Sequence, residues 1–502
     1  MKLFIANRGE IALRIIRTCR KLGVRTVLVY SEADRESLPL RYADERYPLP
    51  GSTPAETYLN IPKLVNAAKD TNCDAVHPGY GFLSEESNFV KACDENGLAF
   101  IGPSSAALEK LGNKLQARMT MKSCGVPVVP GSDVAVTDEH EAVELAEKIG
   151  YPVILKAVYG GGGRGMRVAG DAEEVRRFFR ITTLESASAF GRKEIYIEKR
   201  LESPRHVEIQ AIADRHGKVV SLGERECSIQ RRYQKLLEEA PSVALDADQR
   251  DKLNHAAVKG LTAAGYTNAG TVEFLLEKTG RYYFLEVNKR LQVEHLVSEL
   301  TTRVDLVEEQ LKVVSNESLE LSQNEIRVNG WAMNCRINAE DPRARANFVP
   351  SPGTVIRYHP PAGPGVRIDS ALFSGCNVPE YYDSLIAKLA TWGVNRSDAI
   401  QRMKIALDET EIIGVPTTIP LHRELMRDET FVRGDFDTTY LNEFLPRLDE
   451  TILQYEKFAA VVAAAGKAKA PSRRNGEETV KPSRWRTTAR TQLMRGPNGS
   501  GW

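Results

Sequence analysis

The segment from Tyr283 to Glu294 constrains the fold most, because its polar and apolar residues alternate. It runs Y-F-L-E-V-N-K-R-L-Q-V-E, with Leu or Val at most positions between the polar ones. An alternation of period two predicts a β-strand with two different faces over the whole segment. The predicted polar face carries Glu286, Asn288, Arg290, Gln292 and Glu294.

These polar groups suit a site that holds a cation and an anion together. Hard divalent cations such as Mg²⁺ take carboxylate and amide oxygens as ligands. The guanidinium of Arg290 offers a planar fork that fits a small oxyanion. We therefore interpret the segment, together with Glu273 upstream, as a metal and anion site rather than a solvated charged strand.

A glycine run follows a strand-like segment that ends in Lys156. The strand pattern is Y-P-V-I-L-K, and the run is Gly160 to Gly163. Glycine lets successive backbone N–H groups turn toward one anion and approach it closely. The G-K-[ST] ending of a P-loop is missing, so we predict a different structure, a nucleotide-binding lid with Lys156 as a phosphate contact.

Composition excludes several classes of protein. The net charge of +1 indicates neither a nucleic acid nor a membrane surface as partner. No run of about 18 apolar residues is present, so we expect no membrane-spanning helix. The seven cysteines are scattered without C-x-x-C spacing, which predicts reduced thiols in a cytoplasmic protein. The chain starts with the strand-like K-L-F-I-A, which is unlike a signal peptide.

The order of periodic segments predicts an α/β fold. Strands at 2–6, 26–30, 75–77 and 99–101, with a helix at 11–22, predict a parallel sheet near the N-terminus. A single helix is predicted at 110–124. We divide the chain into an N-terminal domain (1–111), a connecting helix (112–127), a lid (128–201), a large region (202–448) and a basic linker and tail (449–502).

Eight ordered sequence blocks carry a resemblance to a known family. They are I-A-N-R-G-E-I-A (5–12), H-P-G-Y-G-F-L-S-E (77–85), G-N-K (112–114), P-R-H-V-E-I-Q (204–210), Q-R-R-Y-Q-K-L-L-E-E-A-P (230–241), L-Q-V-E-H (291–295), C-R-I-N-A-E-D-P (335–342) and Y-Y-D-S-L-I-A-K-L (381–389). From residue 1 to about 448, the chain resembles the biotin carboxylase family of the ATP-grasp superfamily.

The resemblance implies a fold and a reaction. The fold is an α/β (α+β) ATP-grasp fold with an N-terminal Rossmann-like (pre-ATP-grasp) domain, a mobile lid and a C-terminal biotin carboxylase domain. The reaction is the carboxylation of biotin by bicarbonate through carboxyphosphate, with ATP and two Mg²⁺ or Mn²⁺ ions. The implied partners are a biotin carboxyl carrier protein, a carboxyltransferase subunit and a second copy of the chain. Biotin has to arrive on another protein, because no A-M-K-M-like hairpin is found here.

The resemblance also implies roles for single residues. Its ATP-binding positions are Lys114, Lys156, Gly161, Gly162, Gly163, Met166, Glu198, Lys199, Leu201, His206, Gln230 and Leu275. Its metal positions are Glu273, Glu286 and Asn288, and its bicarbonate positions are Lys235, Arg290, Gln292 and Val293. Glu294 corresponds to the general base, and Arg336 to the residue that stabilises the biotin enolate. Lys235 and Arg290 complete the implied catalytic set.

Some positions depart from the family pattern: Val158, Tyr159, Tyr233, Lys289, Leu296 and Arg303. If Arg303 ends a helix in the left-handed conformation, it costs about 1 kcal/mol relative to glycine. On the predicted strand, Lys289 falls on the otherwise apolar face. These departures leave every implied catalytic residue in place but bear on nucleotide affinity, metal geometry and subunit contacts.

Several functions remain open at this point. We expect the biotin carboxylase subunit of an acetyl-CoA or propionyl-CoA carboxylase. Alternatives are the biotin-carboxylating subunit of a two-subunit pyruvate carboxylase, a weakly active regulatory homologue and another ATP-grasp ligase. A Rossmann dehydrogenase is disfavoured, because N-R-G-E and not G-x-G-x-x-G follows the first strand.

The last 52 residues are strongly basic. Residues 451–502 hold ten Lys or Arg and three Glu, a net charge of +7. Trp485, Ala489 and Leu493 are spaced as one side of a short helix. We predict that this arm helps to recruit a partner subunit, with disorder as the alternative.

Overall fold

The computed structural model describes residues 1–159, 165–343 and 347–469. The glycine run at 160–163 and the predicted short helix around Trp485 lie outside the described residues. The chain divides into a compact unit, Met1–Asp449, and a second unit, Glu450–Trp502. In the described part of the chain, no helix is both long and apolar enough to span a lipid bilayer.

A parallel sheet begins the first unit, as the sequence predicts. Its strands follow the order β3-β2-β1-β4-β5, and every neighbouring pair is parallel. The strands are β1 (Lys2–Ile5), β2 (Arg25–Tyr30), β3 (Glu45–Pro48), β4 (Ala75–His77) and β5 (Ala99–Phe100). The helices of this region are α1 (Gly9–Lys21), α2 (Ile61–Asp70) and α3 (Ser87–Glu95). Ile11, Ile15 and Ile16 of α1 pack with Leu3 and Ile5 of β1 in one apolar core.

The predicted single helix at 110–124 is wrong, because two helices occupy this region. They are α4 (Ser105–Gly112) and α5 (Lys114–Ser123). Asn113 separates them with an extended backbone, at φ −81° and ψ 110°. Its Oδ1 accepts a hydrogen bond from the Gln116 backbone N–H at 3.0 Å, so this side chain caps α5.

A small antiparallel sheet with two helices follows. Its strands are β6 (Val153–Ala157), β7 (Met166–Ala169) and β8 (Ile195–Lys199), in the order β7-β6-β8. Its helices are α6 (Glu139–Ile149) and α7 (Ala172–Phe190). Val153 and Leu155 alternate toward the helices and pack with Val143 and Ala146 of α6.

A large antiparallel sheet carries most of the polar positions. The described strands follow the order β13-β12-β9-β10-β11-β14-β19-β17. The strands from here on are β9 (Arg205–Ala213), β10 (Val219–Arg231), β11 (Gln234–Ala240), β12 (Asn268–Leu276), β13 (Tyr282–Asn288), β14 (Trp331–Asn338), β15 (Gly353–Thr354), β16 (Arg357–His359), β17 (Val366–Ser370), β18 (Asn377–Val378), β19 (Leu385–Gly393) and β20 (Glu411–Ile413). The helices are α8 (Ala247–Ala263), α9 (His295–Thr302), α10 (Leu306–Val314), α11 (Arg396–Glu409), α12 (Ile419–Leu425), α13 (Glu429–Arg433) and α14 (Tyr440–Lys469).

The strand predicted over residues 283–294 is only half right. Strand β13 ends at Asn288, which pairs with Thr271 of β12. The next backbone N–H, that of Lys289, donates to Glu85 Oε1 at 2.8 Å instead of continuing the sheet. A turn then leads to Glu294, the residue immediately before helix α9. Lys289 therefore does not lie on the apolar face of a strand.

Two further expectations concern helix ends. Arg303 ends α9 in the left-handed conformation at φ 64°, which confirms the strained cap.

The linker predicted after residue 448 is wrong up to Lys469, because α14 continues to that residue. Alanine has the highest helix propensity, and the A-A-V-V-A-A-A run favours helix over linker.

Candidate active site

Four charged residues form one row across the large sheet. Glu286 of β13 pairs with Glu273 of β12, which pairs with Glu208 of β9, and Glu208 pairs with Arg225 of β10. Directly paired residues of an antiparallel sheet point to the same face. The fold thus brings three carboxylates and one guanidinium together on one face.

The Lys235 ammonium lies among three carboxylates. From β11, its Nζ donates to Glu208 at 2.5 Å, to Glu273 at 2.7 Å and to Glu294 at 2.8 Å. Burial lowers the pKa of Lys235, but the three carboxylates outweigh burial and raise it well above its ordinary value. Lys235 is therefore a fixed positive charge at the centre of the site.

Glu294 is held ionised by the cations around it. Its Oε2 accepts from Arg336 Nη2 at 2.9 Å, and its Oε1 accepts from Lys235. Burial raises the pKa of Glu294, but Lys235, Arg336 and Arg225 outweigh burial and lower it well below the ordinary value. An ionised, buried carboxylate of this kind can accept a proton from a bound ligand.

Arg336 itself is fixed by a second carboxylate. Its Nε donates to Glu238 Oε1 at 2.6 Å, which leaves the guanidinium between Glu238 and Glu294. Burial lowers the pKa of Arg336, but Glu238 and Glu294 outweigh burial and raise it above its ordinary value. Arg336 therefore stays charged.

The sequence interpretation missed a fully buried arginine that contributes to this site. Arg225 has no exposed surface and donates to Glu208, Gln210, Thr271, Gln292 and Ser298. Glu208 and Glu238 were missed as well. The alternation in R-H-V-E-I-Q, which begins strand β9, could have placed Glu208 on the same face as His206.

The three predicted metal ligands lie together. Glu273 and Glu286 pair across β12 and β13, and Asn288 Nδ2 donates to Glu273 Oε1 at 2.8 Å. Burial and the neighbouring Glu273 charge raise the pKa of Glu286. Two crowded carboxylates and an amide oxygen are ligands that a hard divalent cation prefers, and its charge would relieve their repulsion. The residues therefore fit a Mg²⁺ or Mn²⁺ site.

Lys156 and Glu198 form a buried ion pair between neighbouring strands of the small sheet. Lys156 Nζ donates to Glu198 Oε2 at 2.5 Å, and Arg118 Nη1 donates to the other carboxylate oxygen. Lys199 Nζ donates to the carbonyls of Gly150 and Tyr151 at 2.9 and 2.7 Å. The side chains of Glu198 and Lys199 thus have partners within the protein.

Lys114 is the first residue of helix α5 and lies within electrostatic range of Glu286. Burial lowers the pKa of Lys114, the Glu286 carboxylate opposes that shift, and the Lys156 and Lys289 charges lower it further. Lys114, Glu286 and Lys289 therefore lie within electrostatic range of one another, on the side of the site where the sequence predicts phosphate binding.

His206 and the predicted bicarbonate residues lie around Glu273. His206 Nε2 is 3.0 Å from Glu273 Oε2, and Gln292 Nε2 donates to Glu273 Oε1 at 3.4 Å. Burial lowers the pKa of His206, but Glu273 outweighs burial and raises it. Arg290 Nη2 donates to Asn288 Oδ1 at 3.3 Å, and Val293 is the residue before Glu294.

Several other predicted nucleotide residues are placed by strand pairing. Gln230 pairs with Lys235, Leu275 pairs with His206, and Met166 pairs with Lys156. Leu201 follows strand β8. The remaining predicted residues, Gly161, Gly162 and Gly163, lie outside the described residues.

Tyr233, one of the departures from the family pattern, lies in the tight turn between β10 and β11. Arg232 and Tyr233 both have left-handed backbones, at φ 48° and 65°. Two such residues in a two-residue hairpin connection are typical of a type I′ turn. The turn brings Lys235 back beside Gln230 at the edge of the site.

Comparison with known proteins places the chain in a family. Residues 1–108 match "Biotin carboxylase, N-terminal domain", residues 113–322 match "Carbamoyl-phosphate synthase L chain, ATP binding domain", and residues 334–443 match "Biotin carboxylase C-terminal domain". The chain is 53% identical to biotin carboxylase 1 of Bacillus subtilis, over 88% of this chain and 98% of that protein. It is 47% identical to a pyruvate carboxylase subunit of Methanothermobacter thermautotrophicus, over 93% of this chain and 98% of that protein.

A solved structure agrees with these matches. It is the biotin carboxylase domain dimer of the Hydrogenobacter thermophilus 2-oxoglutarate carboxylase, in complex with MgADP, ADP and bicarbonate. The match has a TM-score of 0.86 and 46% identity, and covers 89% of this chain and 98% of that chain. The chain therefore belongs to the biotin carboxylase family, whose members are ATP-dependent carboxylating ligases.

Proposed function

We propose that this chain carboxylates biotin with bicarbonate and ATP, as the biotin carboxylase subunit of a larger carboxylase. The observation that carries the proposal is the position of Glu294, which contacts both Lys235 and Arg336. A base that is ionised and flanked by two fixed cations suits the deprotonation of a small oxyanion.

The reaction requires two anions to be held in contact. Bicarbonate is a weak nucleophile and ATP carries several negative charges, so the site must supply cations in a cleft that excludes water. We assign Lys235, Arg290, Gln292 and the Val293 backbone to bicarbonate. We assign Glu294 to the removal of the bicarbonate proton. Bicarbonate can then attack the terminal phosphorus of ATP, and carboxyphosphate forms as the bond to ADP breaks and ADP leaves.

Arg336 is proposed to act in the second step. Carboxyphosphate releases phosphate when it gives up its carboxyl group, and this phosphate can accept the proton that the ureido nitrogen of biotin has to lose. The resulting enolate of biotin is negative and takes up the carboxyl group. The Arg336 guanidinium, held by Glu238 and Glu294, is oriented to stabilise that charge.

Nucleotide binding is assigned to the lysines and to the hinge between the small and large sheets. The proposed contacts are Lys114, Lys156, Gly161, Gly162, Gly163, Met166, Glu198, Lys199, Leu201, His206, Gln230 and Leu275. Glu273, Glu286 and Asn288 would hold Mg²⁺ or Mn²⁺, which neutralises phosphate charge when bound. The solved 2-oxoglutarate carboxylase domain, with its MgADP and bicarbonate, supports these ligands.

The proposed partners are a carrier protein, which brings biotin, and a second copy of the chain, in a homodimer like the 2-oxoglutarate carboxylase domain. The carboxylated biotin then serves an acetyl-CoA or propionyl-CoA carboxyltransferase. A two-subunit pyruvate carboxylase is the second candidate. It is favoured by the match to the Methanothermobacter pyruvate carboxylase subunit, which covers 483 residues against 444 for the Bacillus protein.

Phosphate release by the purified chain tests the reaction. We expect ATP hydrolysis that requires bicarbonate and Mg²⁺ and increases when free biotin is added. Hydrolysis that proceeds equally without bicarbonate would contradict the proposal. Isolation of the native complex, followed by assays with acetyl-CoA, propionyl-CoA and pyruvate, separates the two acceptor candidates.

The role of the basic arm, residues 451–502, is tested separately, because residues 470–502 lie outside the described residues. We propose that this basic arm contributes to binding a partner subunit. Deletion of residues 466–502 should leave turnover with free biotin nearly intact and weaken assembly with the carrier or carboxyltransferase. Unchanged assembly would show that the arm does not contribute to binding a partner subunit.

A further inference from the structure

A buried lysine that the proposed reaction does not use lies beside the metal and phosphate side of the site. Lys289 follows Asn288, the last residue of β13, and only 9% of its side chain is exposed. Burying an ammonium group is costly unless it gains compensating contacts. Its surroundings therefore indicate what it binds.

The ion-pair partner of Lys289 in the described residues is too distant for a hydrogen bond. Glu85 Oε2 lies 3.7 Å from Lys289 Nζ, whereas a hydrogen bond from an ammonium group to a carboxylate is about 2.7–2.9 Å long. The same Glu85 carboxylate is 3.7 Å from Arg290 Nε and accepts the Lys289 backbone N–H. Glu85 is thus shared between two cations, and the ammonium of Lys289 keeps donors for another acceptor.

The other neighbours of Lys289 are those expected to handle phosphate. Its Nζ lies 3.8 Å from the position that a Cβ on Gly112 would occupy, next to the capped start of α5. That helix begins with Lys114, and helix N-termini attract anions. Lys114 and Lys289 also share an electrostatic partner in the Glu286 carboxylate. The ammonium groups of Lys289 and Lys114 are therefore close to each other.

We propose that Lys289 binds the polyphosphate of the nucleotide together with Lys114, and that it reduces the dependence of ATP binding on the divalent metal. This inference rests on the proposed function, because it names a further contact for the same nucleotide. Its physical basis is charge: an ammonium group next to Glu286 neutralises phosphate oxygens that otherwise depend on the metal.

The test compares ATP and adenosine binding by calorimetry, with Mg²⁺ and with a chelator. Lys289→Met removes the charge and nearly keeps the length, and Lys259→Met on the exposed side of α8 is the matched control. We expect Lys289→Met to weaken metal-free ATP binding about tenfold, the value of one charge-assisted hydrogen bond, and Mg²⁺-ATP binding less. Adenosine binding should not change, and Lys289→Arg should restore most of the affinity for ATP.

Equal metal-free ATP affinity in wild type and Lys289→Met would overturn the inference. So would recovery of wild-type affinity in the double variant Lys289→Met with Glu85→Gln, because Lys289 would then serve only to neutralise Glu85. Wild-type protein that binds no ATP would instead overturn the proposed function. If Lys289→Met loses adenosine binding through misfolding, Lys289→Gln is measured in its place, with the same expected losses.

Discussion

The Arg225 guanidinium donates to Gln292 Oε1 at 2.7 Å, and this bond joins the buried centre of the large sheet to the turn that carries Glu294. The same guanidinium contacts Glu208, one of the three carboxylates around Lys235. Arg225 therefore links Glu208 to the turn that carries Glu294.

Replacing Arg225 should destabilise the protein. Arg225→Leu leaves the buried Glu208 carboxylate without one of its two cations, and breaking a buried ion pair costs about 3–5 kcal/mol. Urea unfolding at pH 7 measures the loss, with Arg35→Leu, an exposed arginine, as the control. A loss as small as that of the control would show that Lys235 alone compensates Glu208.

Replacing Glu294 should separate chemistry from binding. Glu294→Gln keeps the size of the side chain and removes the proposed base, so we expect bicarbonate-dependent ATP hydrolysis to fall about 10²- to 10⁴-fold. ATP affinity should stay within a few-fold of wild type. Steady-state phosphate release measures the first and calorimetry the second, with Glu325→Gln, on an exposed residue, as the control. Full turnover in Glu294→Gln would remove it from the role of base.

Replacing Glu286 should affect metal-dependent binding selectively. Glu286→Gln removes one anionic oxygen from the paired carboxylates, so the affinity for Mg²⁺-ATP should fall more than the affinity for metal-free ATP. Calorimetry with and without Mg²⁺ measures the difference, and the exposed Glu320→Gln controls for a general change in charge. Equal losses under the two conditions would argue against a metal ligand.

The stability contributed by three buried histidines should fall as the pH is lowered below about 6.5. Burial lowers the pKa of His77 and His295 to about 3 and that of His422 to about 4. Below 6.5 the unfolded chain therefore binds protons that the folded chain excludes, and each such histidine costs about 1.4 kcal/mol per pH unit until its folded pKa is reached. The contribution is complete above about 6.5.

His422→Gln tests this pH dependence directly. Urea unfolding at pH 7 and at pH 5 should show a smaller difference in the variant than in wild type, whatever the variant costs at pH 7. The exposed His140→Gln should keep the wild-type difference. Identical pH dependence in all three proteins would show that His422 is not buried in its neutral form.

The parallel sheet was predictable from sequence because its signals are local. Strands β1 and β2 are short apolar runs, and α1 between them has an apolar face, so period and length suffice. The break at Asn113 was harder, because helical periodicity continues on either side of it. Only the capping geometry of the asparagine divides α4 from α5.

In the candidate active site, too, the features with local sequence signals were predicted and those that depend on distant contacts were not. Glu273 and Glu286 were predicted from alternation and resemblance, and they pair across neighbouring strands. The turn after Asn288 was not predicted, because it depends on a contact with Glu85, which is 204 residues away in the chain from Lys289. Arg225 was missed for a similar reason, since its partners come from several different elements.

The row of Glu286, Glu273, Glu208 and Arg225 implies a limit on how this chain can evolve. In a strand, adding or deleting a single residue transfers every following side chain to the opposite face. One such event within β12 would move Glu273 into the apolar core and bring a neighbour such as Val272 into the site. Insertions and deletions should therefore accumulate in the loops between these strands, while the spacing inside the strands stays fixed among descendants that keep the chemistry.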